Sequence, residues 1–569
     1  MCGIYGITPS NHQVIEKMIG ICRHRGPDGE KIYNDEKISI GHNLLSIQDS
    51  PTQSLQPWLT PKGNIISYNG EIFNYKELCE KYKSVFMPKT KCDTELLAWG
   101  MDNFGYKFIE EIDSMHAFAY YKKNEQELML SVDHLSIKPL YYSTYNNELI
   151  FSSEIKNMLE NVPGSRSISS EGLACYTWCG MNVLDQTIFN HIKKLTAGET
   201  IIYDLQKKKI KQRYYQRIKP TLDNKFNAEE FRYQVKKTVA LTSIGIRNFG
   251  IFLSGGLDSS VIAYEMNKIN PNVKTFTNRF FLDNDQLAIG YNSDADVAKI
   301  LAQQENFKHQ EVLITPDTLT EQWINSSKAN EECILNPSNF VYYYTNKIMK
   351  ENNITVTMAG DMGDELLTGY YNHINFLEKH KVKNDSDFIK YFSTLNSGSP
   401  FKKSSKFPRE EIIKKFKQLY VDNFWNDADP LTSYMAIECL TVVPNEFLKR
   451  NDKFGMSQSI EGRFPFTTKS FMKYCFSIPS NEKCNLQTRE LKLLSKIAYK
   501  DILPKQLLNK DKTGWTAPFG YWLSNNENLK KVFSKHMGST VPKHTGAKTY
   551  KKMFRDWMFN SWKQNYNII

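Results

Sequence analysis

The sequence lacks the features that would place a protein in a membrane or in an oxidising compartment. None of its apolar runs approaches the roughly 18 residues of a bilayer-spanning helix. It shows no stretch typical of a secretory signal peptide, and its ten cysteines are scattered without any C-x-x-C pair. We therefore expect a cytoplasmic protein with reduced thiols and no membrane partner.

Two further absences narrow the range of functions. The net charge of +11 comes without an arginine-rich block or a nucleic-acid-binding motif, so we expect no nucleic-acid partner. The pattern G-x-x-x-x-G-K-[ST] is missing, which excludes a Walker-type phosphate loop. The 569 residues, 40% of them hydrophobic and 24% charged, have the composition of a soluble globular protein. This length predicts about two to four domains.

A glycine-rich segment in the middle of the chain predicts a phosphate site. The apolar run 249–253 favours a buried parallel strand, and Ser254-Gly255-Gly256-Leu257-Asp258-Ser259-Ser260 separates it from a helical pattern. Backbone N–H groups at glycines and at a helix N-terminus attract anions. Asp258 fits such a site if a divalent cation lies between its carboxylate and the phosphate. The alternative is a glycine-rich turn in an ordinary α/β domain.

Strands and helices alternate after this loop, which predicts a doubly wound parallel sheet with ligands beyond the carboxyl ends of its strands. One strand, 355–358, ends in Ala359-Gly360-Asp361-Met362-Gly363-Asp364-Glu365. Carboxylates at that edge, opposite the phosphate loop, predict a metal or catalytic site. The alternative is an acidic loop that only caps a helix.

The first 200 residues follow a different pattern, in which short alternating strands predict stacked antiparallel sheets. Cys2 becomes terminal if Met1 is removed. A terminal cysteine carries its nucleophile and its own base, an α-amine with a pKa of about 8, in one residue. Three polar segments accompany it: Arg23-His24-Arg25-Gly26-Pro27-Asp28, Asn69-Gly70-Glu71-Ile72-Phe73-Asn74 and Cys92-Asp93-Thr94-Glu95. The alternative is that these segments only cap turns.

Taken together, these motifs resemble those of glutamine-hydrolysing asparagine synthetases. M-C-G-I, R-H-R-G-P-D, N-G-E-I-F-N-Y and H-L-S-I-K-P-L-Y-Y resemble a class II glutamine amidotransferase domain. S-G-G-L-D-S-S resembles the pyrophosphate loop of ATP pyrophosphatases. Two later blocks, Met456–Phe466 and Lys510–Trp515, resemble motifs of the same family's synthetase domain. The resemblance covers nearly the whole chain.

The resemblance implies two domains of different fold class. Residues 2–212 would form an α+β, Ntn-type αββα sandwich, and 213–227 a linker. Residues 228–569 would form an α/β domain with a doubly wound parallel sheet, similar to adenine-nucleotide α-hydrolases. The first domain would hydrolyse glutamine, and the second would use ATP and Mg²⁺ to adenylate aspartate before channelled ammonia displaces AMP. The implied partners are small molecules, and a homodimer is compatible with the family.

The resemblance also implies roles for individual residues. The catalytic residues would be Cys2 as nucleophile, Asn69 and Gly70 as oxyanion donors, and Asp361 and Lys512 in the second domain. The glutamine-binding residues would be Leu44, Ser46, Ile47, Gln48, Asn69, Gly70, Glu71 and Asp93. The ATP- and pyrophosphate-binding residues would be Leu253, Ser254, Gly255, Gly256, Asp258, Ser259, Ser260, Asn278, Ala359 and Gly360. The metal ligands would be Asp258 and Asp364.

The sequence departs from the family pattern at two of these positions. Leu44 stands where the family has an arginine that binds the α-carboxylate of glutamine, and a charge-assisted hydrogen bond is worth about 1.5–3 kcal/mol. Arg25 is the candidate to replace that cation. Asp361 stands where the family has glutamate. Two alternatives therefore stay open: an amidotransferase for another carboxylate, such as a sugar, lipid or antibiotic precursor, and a paralogue that relies on free ammonia.

Overall fold

Three sheets organise the protein. The computed structural model describes residues 2–333, 336, 338–395, 407–510, 517–537 and 547–568. Two six-stranded antiparallel sheets lie in the first 215 residues, and a five-stranded parallel sheet lies in the second half. The predicted α+β class of the first half and the parallel α/β sheet of the second are both present.

The first two sheets have the strand orders β10-β8-β9-β1-β3-β2 and β12-β11-β7-β6-β5-β4. Their strands are β1 (Gly3–Thr8), β2 (Gly29–Asn34), β3 (Ser39–Leu44), β4 (Trp58–Leu59), β5 (Ile65–Ile72), β6 (Ser114–Lys122), β7 (Glu127–Val132), β8 (Tyr141–Ser143), β9 (Leu149–Ser152), β10 (Lys193–Lys194), β11 (Glu199–Asp204) and β12 (Lys209–Tyr215). The helices of this half are α1 (His12–Ile21), α2 (Pro51–Ser54), α3 (Tyr75–Lys81), α4 (Asp93–Phe104), α5 (Tyr106–Glu111), α6 (Lys156–Leu159) and α7 (Ser170–Cys179).

The stacking of these two sheets follows from the alternation of side chains along each strand. On β6, Ala117 and Ala119 lie in an apolar core shared with β1 and β3 of the other sheet. The intervening Phe118 and Tyr120 pack instead with apolar residues of α4 and α5. Because both faces of β6 are buried, its register against the neighbouring strand β5 of the same sheet is fixed.

The parallel sheet has the strand order β15-β14-β13-β16-β17. Its strands are β13 (Phe249–Phe252), β14 (Lys274–Phe280), β15 (Lys308–Ile314), β16 (Val356–Met358) and β17 (Glu461–Arg463). The order turns back between β13 and β16, and ligands of such sheets bind beyond the carboxyl ends of the strands at this switch point. The phosphate loop follows β13, and the Asp361 segment follows β16.

Helices surround the parallel sheet and form the rest of the second half. They are α8 (Ala228–Thr242), α9 (Leu257–Ile269), α10 (Asp285–Gln304), α11 (Pro316–Asn330), α12 (Asn339–Glu351), α13 (Gly363–Leu367), α14 (Tyr371–Glu378), α15 (Asp385–Leu395), α16 (Arg409–Phe416), α17 (Asp422–Phe424), α18 (Pro430–Val442), α19 (Lys449–Met456), α20 (Lys469–Ser477), α21 (Ser480–Lys483), α22 (Leu493–Tyr499), α23 (Lys505–Leu508), α24 (Phe519–Asn525), α25 (Glu527–Met537) and α26 (Ala547–Asn565). Within the described residues, no helix is long and apolar enough to cross a membrane. The ten cysteines, all in described segments, are free thiols.

Buried ion pairs join the two halves of the chain. Arg25 Nη1 lies 3.1 Å from Glu154 Oε1 and 3.0 Å from Asp452 Oδ2 on α19. Its Nε donates to the backbone oxygen of Cys2 at 3.1 Å. The partners of Arg25 are thus Glu154 and Asp452 rather than Glu71 or Asp93, which gives no support to the expectation that Arg25 replaces the cation missing at Leu44.

Replacing Arg25 with methionine should lower the free energy of unfolding by about 3–5 kcal/mol, because Glu154 and Asp452 would stay buried after losing the cation that they share. Urea unfolding followed by circular dichroism measures the loss. Arg23→Met is the control, since Arg23 and its partner Glu30 are 67% and 48% exposed. This change should cost less than about 1 kcal/mol. Equal losses in the two variants would contradict a structural role for the buried pairs.

Candidate active sites

Cys2 lies immediately before β1, where the first half of the chain meets the second. The residue is 7% exposed, and burial raises the pKa of its thiol. Its backbone N–H donates to Asn69 Oδ1 at 2.9 Å. A neutral thiol needs a base to become a nucleophile, and the α-amine of a terminal cysteine can serve as that base.

Asn69 and Gly70 lie on β5 beside Cys2. The side chain of Asn69 accepts from Cys2 through Oδ1, while its buried Nδ2 has no partner among the described residues. A Cβ added to Gly70 would lie only 2.3 Å from Met115 O, so a larger residue does not fit there. A buried donor without a partner is costly, and it is the kind of group that stabilises an oxyanion. The predicted nucleophile and oxyanion donor are thus next to each other.

Glu71 and Asp93 form a buried acidic pair close to these residues. Asp93 Oδ2 accepts from the Tyr68 hydroxyl at 3.0 Å and from the Ile72 N–H at 2.9 Å. Burial raises the pKa of Asp93 to about 6, and it also raises the pKa of Glu71. Carboxylates in such a weakly solvated site favour a positively charged ligand group, such as an ammonium.

The resemblance implies that Glu71 and Asp93 bind the ammonium of glutamine. On that expectation, glutamine hydrolysis should weaken below pH 6, because Asp93 must be ionised to bind an ammonium. With a pKa raised to about 6, the carboxylate predominates above that pH and the neutral acid predominates below it. We expect kcat/KM for glutamine to fall about tenfold per pH unit on the acid side. Glutamate release measured between about pH 5 and pH 8 tests this. If the residual activity of Asp93→Asn falls in the same way below pH 6, the group that titrates there is not Asp93.

The segment after β3 carries the other residues that the resemblance assigns to glutamine binding. Leu44 is buried and apolar. The Ser46 N–H donates to Asp28 Oδ2 at 2.9 Å, and the Gln48 side chain donates to Glu71 Oε1. Gln48 therefore places the segment against the acidic pair. None of Leu44, Ser46, Ile47 and Gln48 carries a positive charge.

A cation from the second half of the chain reaches the acidic pair. Arg463, at the end of β17, is 0% exposed, and its Nη2 lies 2.9 Å from Glu71 Oε2. Its Nε lies 2.7 Å from Glu461 Oε1. The sequence analysis assigned no role to Arg463. Arg463 lies within the motif Met456–Phe466, but nothing in the sequence spacing connects Arg463 to Glu71, which lies 392 positions earlier.

The phosphate loop has the strand, turn and helix that its sequence predicts. Leu253–Gly256 joins β13 to α9, and Gly255 has a φ of +77°. A Cβ on Gly255 would lie 2.0 Å from Asp294 O, so this position requires glycine. The Ser254 N–H donates to Ser259 Oγ at 3.1 Å, which ties the loop to the first turn of the helix.

A cavity of about 870 Å³ lies at the carboxyl ends of β13, β14 and β16. The predicted residues that line it are Leu253, Ser254, Gly256, Asp258, Ser259, Asn278, Ala359, Gly360, Asp361 and Asp364. Gly255 lines the adjoining cavity on the other side of the loop. Ser260 supports the loop from behind, since its hydroxyl donates to Gly256 O at 2.8 Å. The structure thus brings the predicted nucleotide residues to one place.

Asp361 lies in the wall of this cavity. Burial raises the pKa of its carboxyl group. Arg450 Nη2 lies 3.4 Å from Asp361 Oδ1, and the guanidinium stacks on the Tyr342 ring at 4.1 Å from its centroid. The cavity therefore presents a carboxylate and a cation side by side, next to the phosphate loop.

Lys492 joins the two predicted metal ligands. Its Nζ bonds to Asp258 Oδ2 and lies 2.5 Å from Asp364 Oδ1. Burial alone would lower the pKa of Lys492, but the two carboxylates raise it above its ordinary value, so the ammonium stays charged. The sequence analysis missed this residue, because nothing around it distinguishes it from other lysines. Lys512, the cation predicted instead, lies outside the described residues.

Comparisons with known proteins match both halves of the chain to known domain families. The profile of a glutamine amidotransferase domain matches residues 1–215, and that of asparagine synthase matches residues 230–565. Asparagine synthetase [glutamine-hydrolyzing] 1 of Bacillus subtilis is 26% identical over 572 residues, which cover 93% of this chain and 89% of the relative. A Methanocaldococcus jannaschii protein, provisionally named an asparagine synthetase, is 30% identical over 434 residues, or 71% of this chain and 81% of the relative.

Asparagine synthetase B of Escherichia coli is a more distant relative, 22% identical over 550 residues that cover 94% of this chain and 84% of the relative. The asparagine synthase profile alone matches more than half of the 569 residues. This protein therefore belongs to the glutamine-hydrolysing asparagine synthetase family, as an ATP-dependent ligase with a glutamine amidotransferase domain.

Proposed function

We propose that this protein is a glutamine-dependent asparagine synthetase. It would convert L-aspartate, L-glutamine, ATP and water into L-asparagine, L-glutamate, AMP and diphosphate. The observation that carries the proposal is the single cavity in which the phosphate loop, Asp361 and Arg450 face one another. At about 870 Å³ it has room for a nucleotide beside a small charged acceptor.

The first site would release ammonia from glutamine. The Cys2 sulfur attacks the amide carbon while the α-amine takes the thiol proton, and the negative oxygen is bound by Asn69 Nδ2 and the Gly70 N–H. The C–N bond then breaks, and the leaving nitrogen takes the proton and departs as ammonia. Water hydrolyses the thioester to glutamate and restores the thiol.

The second site would activate aspartate. A β-carboxylate oxygen attacks the α-phosphorus of ATP, and the bond to diphosphate breaks. Phosphate-loop N–H groups and the Lys492 ammonium balance the negative charge that builds up on the phosphates. Asp258 and Asp364 suit Mg²⁺, because their oxygens already converge on one cation, Lys492, and carboxylates are ligands that Mg²⁺ prefers. When bound, Mg²⁺ would neutralise phosphate charge.

Ammonia from the first site would complete the reaction. It attacks the carbonyl carbon of β-aspartyl-AMP, the C–O bond to AMP breaks, and the attacking nitrogen must lose a proton. Asp361 is placed to accept that proton, and its raised pKa makes it a better base than an exposed carboxylate. Ammonia in bulk water would be protonated, so we propose that it passes between the sites inside the protein. A catalytic role for Lys512 stays a prediction.

The residues around Asp361 support aspartate as the carboxylate that accepts nitrogen. One feature of the cavity favours a second candidate for that acceptor. Arg450 offers a positive charge, and the carboxyl groups of Asp361 and Glu365 line the same cavity. A cation beside carboxyl groups suits an amino acid. The cavity also continues to Phe392, Tyr434 and Phe447, which favours the alternative of a carboxylate with an apolar body. Three expectations stay predictions: the domain boundaries 2–212 and 228–569, the cytoplasmic location and the homodimer.

The proposal is tested by a product assay with aspartate, ATP and Mg²⁺, run in parallel with glutamine and with ammonium as nitrogen source. We expect asparagine and diphosphate in equal amounts from both. Asp361→Asn serves as a control that should lower both products. Absence of asparagine would refute the proposal, and diphosphate release that depends on another carboxylate would establish the second candidate.

A further inference from the structure

The acidic pair can bind only one of the two charged groups of a free amino acid. Glutamine carries an ammonium, which Glu71 and Asp93 suit, and also an α-carboxylate. The segment 44–48 brings no positive charge to the pocket, and the carboxylates that Arg25 binds, Glu154 and Asp452, do not belong to the acidic pair. A carboxylate buried without a cation is strongly disfavoured. The pocket therefore needs a cation from another part of the chain.

We propose that Arg463, from the second half of the chain, binds the α-carboxylate of glutamine. The inference rests on the proposed glutaminase function. The nitrogen and the carboxyl carbon of an amino acid are about 2.5 Å apart, because they share the α-carbon. Arg463 Nη2 is 2.9 Å from Glu71 Oε2. A ligand whose ammonium reaches Glu71 therefore has its carboxylate within reach of the same guanidinium.

Bonds to neighbouring residues fix the Arg463 guanidinium, and they leave one of its N–H donors without a partner among the described residues. An arginine has five N–H groups. Bonds to the described residues use four of these: Nε donates to Glu461, Nη1 to Thr242 O and Ile244 O, and Nη2 to Glu71. The second N–H of Nη2 is left for a ligand. Because the partners fix the plane of the group beforehand, little side-chain entropy is lost on binding.

Arg463 also contacts the second active site through its backbone. Its carbonyl oxygen accepts from the Ala359 N–H at 3.3 Å, and it pairs with Met358 where β17 joins β16. The Asp361 segment starts at this point. The glutamine pocket is thus completed by a residue that is bonded directly to the loop of the synthetase site.

Arg247 provides a matched control. Its Nε donates to Ser46 O at 2.7 Å, so it also approaches the glutamine segment from the second half of the chain. However, its side chain is 35% exposed, and its Nη2 is paired with Asp28 at 2.6 Å. Arg247 therefore tests whether any nearby cation suffices.

The experiment compares Arg463→Met, Arg463→Lys and Arg247→Met in the full chain. Each is assayed with glutamine and with γ-aminobutyramide, which is glutamine without its α-carboxylate. Ammonium-driven product formation in the same preparation normalises the amount of folded protein. We expect Arg463→Met to lower kcat/KM for glutamine about 10- to 100-fold, as for one lost charge-assisted bond. Turnover of γ-aminobutyramide should fall much less, because this substrate lacks the group that Arg463 binds, and any effect of the unpaired Glu71 is common to both substrates.

Arg463→Lys keeps the buried charge, and it should show a smaller loss that is again confined to glutamine. If Arg463→Met does not fold, the comparison of the two amides is made with Arg463→Lys instead. Equal losses on both substrates would overturn the inference, since they indicate a purely structural role. A loss confined to glutamine in Arg247→Met, and not in Arg463→Met, would overturn it in favour of Arg247. A wild-type protein that uses ammonium but hydrolyses neither amide would refute the proposed glutaminase function itself.

Discussion

Replacing Cys2 with alanine is expected to abolish glutamine-driven product formation, with a loss of about 10³-fold or more. The sulfur is the atom that would attack the amide, and no step of ammonia release proceeds without it. The substitution removes only that atom and keeps the main-chain nitrogen of residue 2, which donates to Asn69 Oδ1 at 2.9 Å. Product formation from ammonium should continue, because the phosphate loop and Asp361 are untouched.

Asparagine and glutamate are measured by chromatography with each nitrogen source. Cys79→Ala is the matched control, since Cys79 is a partly buried thiol on α3 with no part in the proposed chemistry. It should leave both activities within about twofold of the wild type. Unchanged glutamine use in Cys2→Ala would show that another group attacks glutamine, and it would remove the first site from the proposed function.

Replacing Lys492 with methionine should lower product formation about 10²- to 10³-fold with either nitrogen source. The ammonium now neutralises Asp258 and Asp364, which lie where the phosphates of ATP are expected. Without it, two carboxylates would repel the incoming triphosphate, and a donor to the phosphates would be lost. Glutamine hydrolysis measured without ATP should continue, because Cys2 and Asn69 are not touched by this change.

Diphosphate release reports the second site, and glutamate release reports the first. Lys500→Met is the control, since Lys500 is an exposed lysine at the end of the same helix, α22. A parallel fall of both activities in Lys492→Met would indicate general unfolding. Full product formation in a folded variant would remove Lys492 from the synthetase site.

Local geometry was predictable from the sequence where the backbone itself forms the site. Gly255, with a φ of +77°, lies in the turn that its flanking strand and helix patterns predict. Likewise, Asn69 and Glu71 share one face of β5 because side chains alternate along a strand. In such cases neighbouring residues decide the conformation, so a short stretch of sequence contains the necessary information. The approach of Cys2 to Asn69 was implied by the family resemblance and not by any local pattern.

Charge partners were not predictable, because they are chosen by tertiary packing. Arg25 was expected near the glutamine segment, and it instead neutralises Glu154 and Asp452 at the interface. Lys492 and Arg463 had no assigned role, although each bonds to a carboxylate of a predicted site. Burial makes an unpaired charge costly, but several cations along a chain can meet that need equally well. Only the folded arrangement shows which of them does.

The strand β17 limits how this protein can be recombined with its relatives. It is only three residues long, at the edge of the parallel sheet, yet Glu461 and Arg463 at its two ends border the proposed glutamine pocket. A chimaera that joins residues 1–215 of one relative to the remainder of another would inherit a glutamine pocket of mixed parentage. Exchange at the apparent domain boundary therefore separates Arg463 from Glu71, which it contacts. A successful graft of the amidotransferase part has to include β17.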